Sequence, residues 1–412
     1  MPIYEKRTVI DIDPATLFQW HARPGAFERL SPPWERLRVL ARYGGIADGA
    51  RVTLMLKHGP FSIRWEALHR GFVDGVQFQD VQVSGPFKKW EHTHRVEPTG
   101  DGRAMLVDHV DYALPLGPVG RLVATMFAGR MMERLFVFRH RRIATDLARH
   151  KAMGQGRRLR LVLTGRAGFV LTQLAAFLST GGHLVHVFPT SEDVRVGPTQ
   201  AAWGPTAVPD FAALEQADAV LHIGLHALPQ LLRTLDERRS RARAVVALPT
   251  VASSDQPAGD ASELAAIVNG SPRRVVALLT PGVLVAWPAL EGMAPAESVA
   301  PSVDGALVSL DDLIGAAYFA TTDDGLRGVF EVTLPRAGKT AAVPREVARF
   351  VPEVRTLQLR VPEHASARPF SETAFTPLNP TLADSILAEM GWPAVKDEGR
   401  RSKDEGRGRK SA

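Results

Sequence analysis

The stretch RLRLVLTGRAGFVLTQLAAFLSTGGHLVHVF, Arg158 to Phe188, decides the fold of the larger part of the chain. It opens on an apolar run, Leu159 to Thr164, and turns at Gly165 and Gly168. Helix-forming residues follow, Gly181-Gly182 breaks them, and a second apolar run, Leu184 to Phe188, closes the unit. Strands apolar on both faces are strands buried on both faces, which places them in a parallel sheet covered by helices. The length of the intervening helix suits the crossover that two parallel strands require. A glycine turn between such a strand and helix exposes backbone N–H groups at the helix N-terminus, the arrangement that cradles a pyrophosphate. Thr164, Gly165, Gly168 and Phe169 are therefore the candidate cofactor-binding positions, with NAD(P) as the candidate cofactor.

Outward from this stretch, residues 158–395 alternate strand and helix patterns and are rich in Ala, Leu and Val, the grammar of a Rossmann-like parallel α/β domain. Residues 1–150 read differently: short alternating strands with aromatic punctuation, then one long apolar helix. Between them KAMGQGRR is short, polar and glycine-containing, so 151–157 is a linker. The tail KDEGRRSKDEGRGRKSA, 396–412, mixes both charge signs and has no apolar residue before Ala412, so it reads as disordered solvated chain.

Within the first part, YEKRTVIDI alternates as a strand, and Asp13 followed by Pro14 starts a helix as N-cap and first helical residue. Further strands are predicted at 50–58, 61–71, 76–87, 88–98 and 104–114. From Pro118 to His150 no proline interrupts a helix carrying two apolar stripes. One stripe is Leu122, Met126, Phe136, Ile143 and Leu147; the other is Val123, Phe127, Met131, Leu135 and Phe138. A helix so widely apolar must be covered, here by a curved sheet wrapped around it in an α+β helix-grip arrangement that encloses a cavity. Trp90, His92, His94 and Val96 share one side of a strand, as do Leu106, Asp108, Val110 and Tyr112. Trp90, His92, His94, Asp108 and Tyr112 are the candidate ligand-pocket residues, because polar groups among apolar neighbours need partners or line a wet pocket. His92-x-His94 also has the spacing of two metal ligands, but no third ligand lies nearby in sequence, so no metal is expected. Phe78, Asp80 and Gln82 form a weaker set of the same kind, and Gly85-Pro86 reads as a turn. No nucleophile–base pair is recognisable, and no catalytic residue is assigned.

Residues 2–150 resemble the START-like SRPBCC ligand-binding superfamily, near its polyketide-cyclase and cell-division-inhibitor-like branches. The motifs that carry the resemblance are LSPPW (30–34), FQDVQVSGPFKKWEHTH (78–94), VDHVDYALPLG (107–117) and FRHRR (138–142). The resemblance implies a hydrophobic pocket for a lipid, isoprenoid or aromatic ligand.

The second part resembles the extended short-chain dehydrogenase/reductases, in their NAD-dependent-epimerase-like branch. The carrying segments are 162–188, ALEQADAVLHIG (213–224), RRVVALLTPGVLV (273–285), SLDDLIGAAYFA (309–320), GVFEVTLP (328–335) and TPLNPTLADSILAEMGW (376–392). Against that family's T-G-x-x-G-x-x-G, Gly165 and Gly168 take the first two glycine positions and Leu171 stands at the third. At the end of the second strand, Pro189 and Thr190 replace the acidic or arginine residue that holds the ribose, and Asp193 comes several residues late. Catalysis in this family needs a tyrosine with a lysine four residues on. Between Lys151 and Lys396 the sequence offers only Lys339 and Tyr318, and Tyr318 is followed four places later by Thr322. Thr250 or Ser253 would stand for the family's hydroxyl residue, with no phenol after it. The reductase-like domain is thus expected to be degenerate, serving as scaffold or nucleotide sensor, and Tyr318 to be a packing residue. The alternatives are an oxidoreductase or epimerase with a non-standard site, or a cyclase-like enzyme in the first domain.

Composition agrees with this reading. The 412 residues contain no cysteine, which excludes disulfides, thiolate nucleophiles and iron–sulfur clusters and suits a cytoplasmic protein. The N-terminus lacks the order of a signal peptide, and no apolar run is long enough for a membrane span. The net charge of +6 concentrates in 139–160 and in the tail. Both read as solvated surface rather than a nucleic-acid footprint. The partner that the first resemblance implies is a hydrophobic small molecule.

Overall fold

The computed structural model describes residues 2–189, 211–249, 261–279, 282–284 and 307–332, apart from 33–34, 36, 59–60, 116–117, 155–156, 166–167 and 226, together with 341–342, 358–359 and 368–369. Thr190, Asp193, Thr250, Ser253, Lys339, the 376–392 segment, the 396–412 tail and part of LSPPW lie outside the described residues.

The chain begins with β1 (Ile3–Ile10), α1 (Pro14–Ala22) and α2 (Ala26–Leu30). Asp13 caps α1 by accepting from the Thr16 N–H at 2.9 Å, with Pro14 behind it, as the sequence predicts. A meander follows: β2 (Leu37–Tyr43), β3 (Arg51–His58), β4 (Phe61–Val73), β5 (Gln77–Ser84), β6 (Lys89–Pro98) and β7 (Ala104–Ala113). The sheet order is β1-β7-β6-β5-β4-β3-β2, antiparallel throughout, so the first strand closes on the last. The long helix α3 (Pro118–Ala152) ends this part. Its positions Ala128, Met132, Phe136, His140, Ile143 and Leu147 are buried at helical spacing, and Phe136 and Met132 pack with Trp90, Val110 and Tyr112 of the sheet.

The second apolar stripe proposed for this helix holds only in part. Phe138 is buried, but Met131 is 49% exposed, and the buried second face is instead Phe138, Arg142, Asp146 and Arg149.

The second part contains β8 (Arg160–Gly165), α4 (Phe169–Thr180), β9 (Leu184–Pro189), α5 (Phe211–Glu215), β10 (Ala219–Ile223), α6 (Leu228–Glu237), β11 (Ala244–Leu248), α7 (Ala261–Gly270) and β12 (Arg274–Leu279). After these come β13 (Gly282–Leu284), β14 (Leu307–Ser309), α8 (Leu310–Thr322), β15 (Gly328–Glu331), β16 (Ala341–Ala342), β17 (Gln358–Leu359) and β18 (Arg368–Pro369). Seven of the strands make a parallel sheet in the order β18-β15-β12-β11-β10-β8-β9. Alternation along β8 sends Leu161 and Leu163 to a core with α4 and α8, and Val162 to a second core with α6 and α7. The sheet is therefore covered on both faces, as the unbroken apolar strands require.

The two parts meet over charged groups withdrawn from water. Arg29 of α2 is 1% exposed and grips Asp146 of α3 through two hydrogen bonds of 2.8 and 2.6 Å. The same guanidinium reaches Gln173 of α4 at 3.0 Å and Asp311 of α8 at 2.9 Å. Arg142 also pairs with Asp311, Arg149 with Asp312 at 2.7 Å, and Arg23 donates to the Thr180 carbonyl at 2.8 Å. His150 stacks on Phe177 with ring centroids 4.2 Å apart. The basic run 139–160, expected to be a solvated face, is thus in good part an internal interface, because Arg142 and Arg149 are matched by Asp311 and Asp312, and Asp146 within the run by Arg29.

Candidate functional site

On the inner face of the antiparallel sheet, register brings together side chains far apart in sequence. Asp80 pairs across strands with His92, and His94 with Asp108, so β5, β6 and β7 each add to one patch. His92 lies between two carboxylates, with Nδ1 at 2.9 Å from Asp80 Oδ1 and Nε2 at 3.0 Å from Asp108 Oδ1. His94 spans the same two oxygens. Its Nε2 is 3.4 Å from Asp80 Oδ1, and its Nδ1 is 2.6 Å from Asp108 Oδ1 but out of line for a hydrogen bond. The other Asp108 oxygen meets His140 Nε2 of α3 at 2.7 Å, and His140 Nδ1 meets Thr8 Oγ1 of β1 at 2.8 Å. Trp90 Nε1 donates to Asp80 Oδ2 at 3.0 Å.

Apolar and aromatic groups enclose these charges. Phe78 stacks on His94 at 4.3 Å between centroids, and Phe136 stands edge-on to His92 at 5.1 Å. Burial alone would push the His92 imidazole down, but Asp80 and Asp108 outweigh it and hold it up at about 9. Burial would likewise raise both carboxylates, yet the facing imidazoles keep Asp80 and Asp108 well below the ordinary carboxylate range. Arg139 of α3 feels both carboxylates and adds positive potential, although its own burial lowers its pKa. His21 of α1 is pushed down to about 4 by burial and by His94.

In the parallel sheet, the described residues on either side of 166–167 serve the packing of the sheet and of α4. Gly165 has φ +95°, and a Cβ there would sit 2.1 Å from the Ile223 carbonyl of β10, so close strand packing alone demands glycine. Thr164 is buried and its hydroxyl meets His222 Nδ1 of β10 at 2.8 Å. Gly168, at φ +152°, opens α4 with empty space where a side chain would stand, and no side chain caps the helix. Phe169 is partly buried against the core, and Leu171 is fully inside it.

Residues 10–136 match the family model for polyketide cyclase / dehydrase and lipid transport. Over both parts, the chain shares its fold with a nucleoside-diphosphate sugar epimerase from Corynebacterium glutamicum, at 19% identity and a TM-score of 0.64, covering 94% of this chain and 90% of that one. A protein from Thermus thermophilus aligns at 18% identity and a TM-score of 0.29, over 34% of this chain and 97% of its own. The Zhui aromatase/cyclase from Streptomyces sp. R1128 aligns at 14% identity and a TM-score of 0.24, over 29% and 72%. No curated protein sequence matches the chain. The chain thus joins a unit similar to the polyketide cyclase / dehydrase family, here called SRPBCC-type, to a unit that shares the fold of that epimerase, here called epimerase-like.

All five residues singled out in the SRPBCC-type unit, Trp90, His92, His94, Asp108 and Tyr112, lie on one buried face, with Tyr112 directly across from Trp90. Sequence reasoning missed His140 and Thr8, and placed Asp80 in a separate, weaker set. The signal for Asp80 was its alternation with Phe78 and the turn at 85–86, which sets β5 against β6. In the epimerase-like unit, Tyr318 is buried, and its hydroxyl meets His183 Nε2 at 2.8 Å. Burial pushes that phenol up to about 12, away from the range of an acid/base at neutral pH. Where the units meet, a cavity of about 790 Å³ is lined by Arg23, His150, Arg157, Arg158, His183 and Tyr318, among others. Among the described residues, no helix is long and apolar enough to cross a membrane.

Proposed function

We propose that the chain is a cytoplasmic ligand-binding protein whose SRPBCC-type unit, residues 1–150, takes up a hydrophobic small molecule. We propose further that the epimerase-like unit, residues 158–395, is a catalytically degenerate scaffold or nucleotide sensor. The observation that carries the first part is the buried patch of Trp90, His92, His94, Asp108 and Tyr112 between the sheet and α3. Polar groups fixed among aromatic and aliphatic ones orient a ligand whose bulk is apolar. The match to a family described by cyclase, dehydrase and lipid-transport activities supports this reading, and the absence of cysteine suits the location. The degenerate reading is supported by Leu171 in the core and by Tyr318 engaged with His183 without a lysine four residues on.

Native mass spectrometry of the untagged full-length protein tests the first part. A retained lipid, isoprenoid or aromatic molecule is expected. Trp90 and Trp65, edge to face at 5.2 Å, supply a fluorescence signal for titration with a panel of such compounds. A protein that retains nothing and whose fluorescence responds to none of them overturns the reading. Thermal-shift measurement with NADH and NADPH tests the second part. A shift without cofactor-dependent turnover is the signature of a sensor, no shift is that of a scaffold, and turnover removes both.

A further inference from the structure

We propose that Asp80, His92 and His94 form a binding site for one divalent first-row transition-metal ion, zinc(II) or iron(II), with Asp108 as the carboxylate that orients the His92 imidazole. Two imidazole nitrogens and one carboxylate oxygen are a donor set that these borderline ions favour. Donors held 2.0–2.2 Å from an ion lie roughly 2.8–3.6 Å from one another at octahedral or tetrahedral angles. Asp80 Oδ1 is 2.9 Å from His92 Nδ1 and 3.4 Å from His94 Nε2. One donor atom from each of the three residues lies within 4.8 Å of the others.

The rear side of the same rings supplies the second observation. A metal-bound imidazole ordinarily donates its other N–H to a carboxylate, which fixes the tautomer and the ring. His92 Nε2 is hydrogen-bonded in this way to one oxygen of Asp108 at 3.0 Å, and the other oxygen is held by His140. His94 Nδ1 lies 2.6 Å from the first oxygen, out of line for a hydrogen bond. Four ring nitrogens thus face only two carboxylate oxygens. The ring centroids of His92 and His94 are 3.8 Å apart in a buried site, so their two inward-facing nitrogens and the Asp80 oxygen converge on one point. One divalent ion suits that convergence: each ring gives it a lone pair, and Asp80 is the third ligand. Strand geometry makes the site specific. His92 and His94 project from one face of β6, and Asp80 is the direct cross-strand partner of His92. With three protein ligands, the ion keeps an open position for water or for a donor atom of a pocket ligand.

The test uses the untagged full-length chain, stripped by chelator dialysis and titrated with cobalt(II) chloride. Uptake of one equivalent is expected, with visible d–d absorption bands that zinc sulfate removes by competition. The cobalt protein should also show two paramagnetically shifted, exchangeable imidazole N–H resonances, which identify two histidine ligands without any variant. Elemental analysis of the protein as purified distinguishes zinc from iron. Asp80→Asn and His94→Gln are expected to abolish uptake with far-UV circular dichroism unchanged, and Asp108→Asn to weaken affinity by about 10–100-fold. Failure of the wild-type protein to give the bands overturns the proposal. So does cobalt binding without shifted histidine resonances, or uptake that persists in folded Asp80→Asn. Each of these leaves the binding of a hydrophobic molecule to be judged by its own experiment.

Discussion

Replacing Arg29 by methionine removes a side chain that joins α2, α3, α4 and α8. The substitution roughly keeps the length of the stem and deletes the guanidinium. It strands the Asp146 carboxylate, which is 0% exposed and is held by Arg29 at 2.6 and 2.8 Å. It also leaves Gln173 Oε1 without its 3.0 Å donor, while Asp311 keeps Arg142. Removing one partner of a buried ion pair costs about 3–5 kcal/mol, because the remaining charge is uncompensated. At about 2–4 °C per kcal/mol for chains of a few hundred residues, Tm is expected to fall by roughly 6–20 °C. The assay is urea unfolding followed by far-UV circular dichroism, with calorimetry for Tm. The double variant Arg29→Met/Asp146→Leu decides the mechanism. If the stranded charge is the cost, the second change recovers much of the loss, since apolar replacements of a whole buried pair are often neutral. A single-variant loss below about 1 kcal/mol, the range of exposed pairs, or a double variant no more stable than the single one, refutes the reasoning.

Three further outcomes follow from the same geometry. His150 is pushed down to about 3, and His183 and His222 to about 4, chiefly by burial. The unfolded chain therefore binds protons that the folded one refuses, and the stability these three groups contribute, full above pH of about 6.5, should decline as pH falls toward 4; a urea midpoint that does not fall between pH 6 and 4 would contradict this. Gly165→Ala puts a Cβ 2.1 Å from the Ile223 carbonyl at φ +95° and should cost at least about 2 kcal/mol by thermal denaturation, or prevent soluble expression. Tyr318→Phe leaves His183 Nε2 without its 2.8 Å partner, so a loss of about 1–3 kcal/mol is expected with no change in NADH or NADPH binding measured by calorimetry.

The parallel sheet was legible because its signal is local. Apolar stretches at 161–163, 219–221 and 244–248 and a glycine turn at 165–168 are each contained within a dozen residues, and they require helices on both faces. The helix cap at Asp13 and the inward face of β6 were legible for the same reason: one rests on a two-residue signature, the other on simple alternation. The 139–160 run was misread because periodicity reports which positions share a helix face, but not what that face meets. Arg142, Asp146 and Arg149 look like solvated charge until Arg29, Asp311 and Asp312, more than a hundred residues away in each direction, are folded against them.

The same limit governs the candidate site, and the case of Asp80 shows how narrow it is. His92-x-His94 declared two nitrogens on one face, and the metal reading was set aside for want of a third ligand close in sequence. In an antiparallel sheet, however, nearness is set by register. The turn at 85–86 folds β5 back on β6 so that Asp80, twelve residues before His92, becomes its cross-strand partner. The next hairpin does the same for Asp108 opposite His94. Because side chains alternate with a period of two, a slip of one residue in either hairpin would send the carboxylate to the outer face and leave the imidazoles alone on the inner one. The turn residues Gly85 and Pro86, and those that close the 99–103 loop, thus help decide whether this cluster exists, although none of them takes part in it. His140 completes the set from α3, where the 3.6-residue period that buries Phe136 and Ile143 also turns this imidazole toward Asp108. Strand register and helix phase, each set by apolar residues, converge on two carboxylates and three imidazoles.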